Sequence, residues 1–205
     1  MAKIFDDILS KGIRQGQIPA RTGAAREWYR TQAKAIAKAG GGRGVSGESM
    51  TSGSNVKGRT TSSPQIGGMY SFQYDAKHKD KLPYYDMYPL IFPINTAKGG
   101  FLGINMHYLP PALRAQLMDA LYSTVTNDNY DEKTKLKLSY DVLNGASKFK
   151  LFKPTIKHYL TKQMRTPFIY VNPTEWDIAL FLPTAKFVGA SKQKVYADSR
   201  KIIRG

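Results

Sequence analysis

The sequence contains no cysteine, and this absence excludes disulfides, thiolate nucleophiles and cysteine-based zinc sites. It also lacks any apolar run near the roughly 18 residues that a membrane helix requires, and Met1–Asp7 has no signal-peptide pattern. Acidic residues are scarce, because 15 Asp and Glu face 31 Lys and Arg, a net charge of +16. Hydrophobic residues still make up 41% of the 205 residues, enough for a folded core. We therefore expect a reduced, strongly basic protein whose partner is anionic, with nucleic acid as the first candidate.

The positive charge is concentrated at the two ends of the chain. Residues 1–66 carry eleven Lys and Arg against four Asp and Glu, and residues 186–205 carry six against one. Residues 67–185 are nearly balanced, with fourteen against ten. Basic terminal arms commonly bind phosphates or an acidic protein surface.

Composition divides the chain into four segments. Residues 1–39 predict an extended, basic helical arm. Residues 40–68 hold nine Gly and six Ser and predict a flexible linker. Residues 69–185 predict the body, and residues 186–205 predict a basic C-terminal segment with a helix from about Ala190.

The body is predicted to be α+β, with a small antiparallel β-unit of about three to four strands followed by helices. Met69–Tyr74 alternates as a strand does. Pro89 and Pro93 flank the apolar run Leu90–Phe92, and Ile94 follows, which predicts an edge strand or a short strand between turns. Gly99 and Gly100 separate that run from Phe101–Leu109, so the two are expected to form a hairpin.

Four helices are predicted after the hairpin. The first has Leu113, Leu117 and Leu121 on one face, and the second is capped by Asp131 and followed by Gly145. The third carries Ile156, Tyr159, Leu160 and Met164 at helical spacing. The predicted starts are Pro111, Asp131, Pro154 and Asn172.

No motif for catalysis or cofactor binding stands in its proper context. Gly42–Gly47 matches G-x-G-x-x-G, but a helical segment precedes it and more Gly and Ser follow, which indicates a linker. His78, His107 and His158 lack metal-ligand spacing, and His107 between apolar neighbours predicts a satisfied structural group. We therefore expect no catalytic residues, no metal and no cofactor, and a nuclease is the weakest of the alternatives.

Aromatic and basic residues interleave between residues 70 and 88. Such rings can stack on unpaired bases while lysines neutralise phosphates. Large rings usually serve burial first, so a core role is favoured, with the Lys77–Lys81 loop still available to an anion.

The candidate contacts with nucleic acid or an acidic partner are the basic residues of the arm, the linker, this loop and the C-terminal segment. They are Arg14, Arg21, Arg26, Arg30, Lys34, Arg43, Lys57, Arg59, Lys77, Lys79, Lys81, Lys192, Lys194, Arg200, Lys201 and Arg204.

Several longer stretches of the chain are distinctive. They are Tyr70–Lys79, Leu82–Leu90, Gly100–Pro111, Asn144–Phe149 and Glu175–Pro183. These stretches resemble a family of structural proteins from T-even-like bacteriophages, the DNA end protector family. The resemblance covers roughly residues 67–203, and Ile18–Thr22 also fits. It implies a non-enzymatic virion protein at the portal or neck that shields packaged DNA ends from host exonuclease.

Two hypotheses follow for this chain. In the first, the arms of a virion protein at the head–tail vertex bind double-stranded DNA without regard to sequence. In the second, a neck, tail or baseplate component docks its arms on acidic surfaces of neighbouring phage proteins. Both imply several copies in a symmetric assembly, no membrane, and passage through the host cytoplasm during assembly.

Overall fold

The computed structural model describes residues 11, 13–15, 60–125, 131–171 and 185–205. Most of the predicted arm, residues 40–59 of the predicted linker, and the helix predicted from Asn172 lie outside these residues. Within the arm, the amide of Gln15 donates to the carbonyl of Lys11 at 3.1 Å, as in one turn of a helix.

The described strands form two antiparallel sheets. The larger sheet has six strands in the order β1-β7-β2-β4-β5-β6, and β3 pairs with β8 in a second, two-stranded sheet. Their bounds are β1 Thr60–Thr61, β2 Met69–Ser71, β3 Tyr85–Asp86, β4 Leu90–Ala97, β5 Gly100–Asn105, β6 Ile156–Leu160, β7 Phe168–Val171 and β8 Phe187–Val188.

The α+β class is confirmed, but the prediction of about three to four strands was wrong. Strands β1, β3 and β8 have two residues each, too few to show an alternating pattern. Strand β1 also places residues 60 and 61 of the predicted linker in the large sheet, paired with β7.

The predicted hairpin is confirmed as β4 and β5, and Gly99 in its turn has a φ of +75°. The prediction that the first strand lies at an edge or is short was wrong, because β4 has eight residues and lies between β2 and β5. The register shifts between Pro93 and Asn95. A proline, which lacks the N–H donor, is tolerated inside a sheet at such an irregularity.

Three α-helices accompany the described strands: α1 Pro111–Val125, α2 Glu132–Lys148 and α3 Lys192–Arg204. The Asp131 side chain caps α2 by accepting from the amide of Thr134 at 2.7 Å. Helix α2 continues past Gly145, so the predicted end of this helix was too early. The predicted C-terminal helix is confirmed as α3, and Ser191 caps it by accepting from the amide of Lys194 at 3.3 Å.

The helix predicted from Pro154 was wrong. A 3-10 helix covers Lys150–Thr155, and strand β6 follows at once. The helical spacing of the apolar residues was misleading, because β6 pairs with β5 along its whole length. Isoleucine and tyrosine also favour strands, so pairing to a neighbouring strand overrode the local pattern.

The large sheet has a different core on each face. Leu90, Phe92 and Ile94 of β4 pack with residues of α1 and α2, such as Met118 and Leu143. The neighbouring side chain in β4, Ile91, points to the other face and joins a cluster made largely of aromatic rings. This alternation is the period of two that a strand buried on both faces requires.

Candidate nucleic-acid interface

The aromatic residues between 70 and 88 serve mainly as core. Tyr70, Phe72, Tyr74 and Tyr85 are buried, and the ring of Phe72 meets that of Tyr159 edge to face at 5.3 Å. Rings so enclosed cannot stack on bases, so the core interpretation is confirmed for these four.

The structure describes nine of the sixteen predicted contact residues. Lys77, Lys79 and Lys81 are exposed on the turn after β2, and Arg14 is exposed in its helical turn. On α3, Lys192 is half-buried, and Lys194, Arg200, Lys201 and Arg204 are exposed. These contacts stay predictions. The others, Arg21, Arg26, Arg30, Lys34, Arg43, Lys57 and Arg59, lie outside the described residues.

A further basic segment lies at the edge of the large sheet. Residues 148–165 hold six Lys and Arg and no Asp or Glu, and they include β6, the last strand of the sheet. We call this segment the basic edge. The basic edge was not predicted from the sequence, because its excess of Lys and Arg was counted together with the nearly balanced charges of residues 67–185. A shorter counting window would have found it. Its cations are Lys148, Lys150, Lys153, Lys157, Lys162 and Arg165.

A cavity of about 360 Å³ lies between the basic edge and the turn that carries the predicted lysines. We call it the edge pocket. Its volume falls in the range of about 300–1,000 Å³ that is typical of small-molecule sites. The side chains around it are mostly basic or aromatic. They include Lys77, His78, Tyr84, Tyr108, Lys157 and His158.

Lys157 is the half-buried cation of the edge pocket. Its Nζ lies 4.1 Å from the centre of the Tyr108 ring, a distance at which the ring face attracts an ammonium group. Burial lowers the pKa of Lys157 to about 8. Among the residues that the structure describes, no carboxylate forms an ion pair with this ammonium. The pocket therefore contains a partly desolvated positive charge.

A buried polar cluster supports the wall of the pocket. The Asp86 carboxylate accepts hydrogen bonds from the Asn105 side-chain amide at 3.1 Å and from Nδ1 of His107. Asn105 also donates to the Tyr159 hydroxyl at 2.9 Å. His107 is buried as predicted, although it lies in a 3-10 helix after β5 instead of in the strand. These bonds join β3, β5 and β6 where the pocket forms.

Burial also keeps the rings of the pocket neutral. It raises the pKa of Tyr108 and of Tyr84, and for Tyr84 the Asp198 carboxylate adds to the increase. Burial lowers the pKa of His107, although the Asp86 carboxylate opposes this decrease. Within this wall, a neutral imidazole can therefore donate from Nδ1 to the carboxylate, which only accepts.

Helix α3 lies against the same wall. The Asp198 carboxylate helps to raise the pKa of Tyr84, and the Tyr196 hydroxyl accepts from Arg114 at 3.0 Å. The helix also packs on the 3-10 helix Lys150–Thr155 of the basic edge. The fold thus places the predicted basic turn and the basic edge around one pocket, and it packs the basic C-terminal helix on the Lys150–Thr155 helix of that edge.

Some of these cations are already neutralised within the chain. Lys79 and Arg165 share the Asp75 carboxylate, with N–O distances of 3.2 and 2.8 Å. Both cations lower the pKa of Asp75, and Arg165 has the larger effect. On α3, Lys194 pairs with Asp198 at 3.1 Å. Lys77 and Lys81 form no ion pair with another described residue, so their charges face solvent.

The described residues provide no group of three or more His, Asp or Glu that could hold a metal ion. None of the helices in the described ranges combines the length and apolar character needed to cross a membrane.

Comparison with known proteins agrees with the resemblance noted in the sequence. The family described as phage T4 terminal DNA protecting protein matches residues 25–204, which is most of the chain. No curated protein and no solved structure gives a significant match. The resemblance to the DNA end protector family is confirmed, and the chain belongs to the family of the phage T4 terminal DNA protecting protein.

Proposed function

We propose that this protein binds the ends of the linear DNA packaged in a phage particle and shields them from exonucleases, without catalytic turnover. Family membership carries the proposal. The net charge of +16 supports it, because neutralising phosphates is the main source of affinity for duplex DNA irrespective of sequence.

The described surface offers a place for such binding. The basic edge contributes exposed cations at Lys150, Lys153 and Lys162. Helix α3 adds Arg200, Lys201 and Arg204 nearby, because it packs on the Lys150–Thr155 helix. Clustered cations on adjoining elements are the electrostatic footprint of a nucleic-acid site.

The N-terminal segment extends this proposal. Residues 1–39 act as a basic arm and residues 40–59 as its tether, while the body holds the arm near the DNA. In the virion the protein lies at the head–tail vertex, in several symmetric copies that also contact other phage proteins, after assembly in the host cytoplasm. The high positive charge of residues 1–66 supports the arm's role.

Binding of the purified full-length chain to linear duplex DNA, measured over a range of salt concentrations, tests the proposal. If the protein neutralises about five phosphates, log K falls with log salt at a slope of about −4.5. The affinity then falls about 500-fold between 50 and 200 mM salt. The bound protein is also expected to slow degradation of that DNA by a processive exonuclease.

Absence of binding to linear duplex at low salt would refute DNA-end protection. A particle map in which the basic segments contact only acidic protein surfaces would then favour the neck, tail or baseplate role.

A further inference from the structure

We infer that the edge pocket receives the terminal nucleotide of a DNA strand, with its terminal phosphate on Lys157 and Lys77 and its base against Tyr84. This inference rests on the proposed function and names the part of the surface that distinguishes an end from the interior of a duplex.

Charge indicates the phosphate. Lys157 and Lys77 come from different segments, β6 and the turn before β3, and both line the cavity. His78 and His158 add two further nitrogen-bearing side chains from the same two segments. Two lysines that converge on a half-enclosed space suit a single compact anion better than the continuous phosphate backbone of a duplex.

The position of the Lys157 ammonium strengthens this step. The side chain is half-buried and lies over the Tyr108 ring. Partial burial of a charge costs free energy until an opposite charge joins it, and a fully solvated lysine would not have this cost. Tyr108 is 4% exposed, so it acts as a positioning residue that aims the ammonium.

Tyr84 provides a ring for the base. It is half-buried, and its ring centre lies 6.1 Å from that of Tyr108 and 6.3 Å from that of Phe187. These two neighbouring rings hold the Tyr84 ring in place. A base stacked on a fixed aromatic ring gains about 1–3 kcal/mol, whichever base it is.

These features match what only a strand end offers. A terminal phosphate monoester carries a charge of about −1.5 to −2 at pH 7, more than the single charge of each internal phosphate. The last base has a stacking neighbour on one side only, so its unstacking is the least costly in an intact duplex. The half-enclosed basic pocket, with Tyr84 as the ring for the base, therefore favours a strand end over the interior of a duplex.

The test uses the full-length protein and two DNA probes of equal length and sequence. One is a hairpin duplex with a single open, 5′-phosphorylated blunt end, and the other is a dumbbell closed at both ends. We expect the wild type to bind the open end at least about tenfold more tightly, the effect of one hydrogen bond to a charged group. Lys157→Met and, separately, Lys77→Ala should bring this ratio close to one.

Lys137→Ala is the control matched to Lys77→Ala, because it removes an exposed lysine from α2 that does not line the pocket. It should leave the ratio unchanged. Lys157→Met removes the charge and keeps an unbranched side chain beside Tyr108. Lys77→Ala changes an exposed turn, so it keeps the test valid if Lys157→Met does not fold.

A second arm separates the pocket from duplex binding. The 5′-phosphorylated dinucleotide of thymidine is titrated into the protein by calorimetry, with the unphosphorylated dinucleotide and inorganic phosphate as comparisons. The inference is supported if the wild type binds only the phosphorylated dinucleotide and if Lys157→Met and Lys77→Ala each lose this binding.

The inference would be overturned if inorganic phosphate bound as tightly as the phosphorylated dinucleotide. It would also be overturned if both variants kept the wild-type preference for the open end over the dumbbell. Neither result would contradict duplex binding. If the dinucleotide binds while the duplex does not, the pocket assignment holds and the proposed function fails.

Discussion

The pKa of Lys157, lowered to about 8 by burial, predicts a pH dependence for binding of DNA ends. The ammonium form attracts the phosphate and the neutral amine does not. The contribution of Lys157 is therefore nearly complete at pH 7 and is lost as the pH rises through 8. About nine-tenths of the group is charged at pH 7 and about one-tenth at pH 9. Affinity for the open end should fall up to about ninefold over this range.

Most other cations change little in this interval. A lysine with an ordinary pKa of about 10.4 keeps about 96% of its charge at pH 9, so the general attraction to phosphates persists. The dumbbell duplex should therefore show a much weaker pH dependence than the open end. Other titratable groups also line the pocket and could contribute. They are Tyr74, Lys77, His78, Tyr84, Tyr85, Asp86, Tyr108, His158 and Tyr159.

Lys157→Arg separates these contributions, because a guanidinium stays charged throughout this range. The measurement is the dissociation constant of the hairpin probe at pH 7, 8 and 9 and constant ionic strength, for the wild type and the variant. The decrease should be confined to the wild type. Parallel profiles for the two proteins would refute the role given to Lys157.

The remaining predictions concern stability, measured by urea unfolding. Asp86→Ala should lower the free energy of unfolding by about 2–6 kcal/mol, about 1–3 kcal/mol for each of the buried donors of Asn105 and His107 that lose their acceptor; the exposed Asp80→Ala should change it by less than about 0.5 kcal/mol, and equal effects would contradict this account. Gly100→Ala should cost about 1–3 kcal/mol, because its Cβ would lie 1.8 Å from the Tyr159 carbonyl oxygen. Gly145→Ala, with nothing within 4 Å in helix α2, should instead stabilise by up to about 1 kcal/mol, and a loss as large as that of Gly100→Ala would refute this contrast.

Short-range sequence patterns predicted the elements whose defining features lie within a short stretch of the chain. The i, i+4 spacing of Leu113, Leu117 and Leu121 predicted α1, and the capping residue Asp131 predicted the start of α2. The turn at Gly99 and Gly100 predicted the hairpin. Each of these features involves residues within about ten positions of one another, where propensity and periodicity are informative.

Elements that depend on distant partners were missed. Strand β6 has apolar spacing typical of a helix, and it becomes a strand because β5, about fifty residues earlier, offers an edge. The edge pocket joins Lys77, Tyr108 and Lys157, which sequence alone cannot place together. The basic edge was present in the sequence, but averaging charge over the whole body concealed it.

Lysines on an edge strand have another physical explanation, and it must be weighed against DNA binding. Charged side chains on an exposed edge keep it from pairing with a second chain, which would account for solvated residues such as Lys162 without any ligand. A lysine can serve that role with its charge fully in water. Lys157 instead lies half-buried over the Tyr108 ring, with its pKa lowered to about 8. An ammonium held in this way weakens its own hydration, a cost that a solvated lysine on the same edge would not have. Because an incoming anion would offset that cost, the burial of Lys157 is the observation that favours a phosphate site over a protected edge.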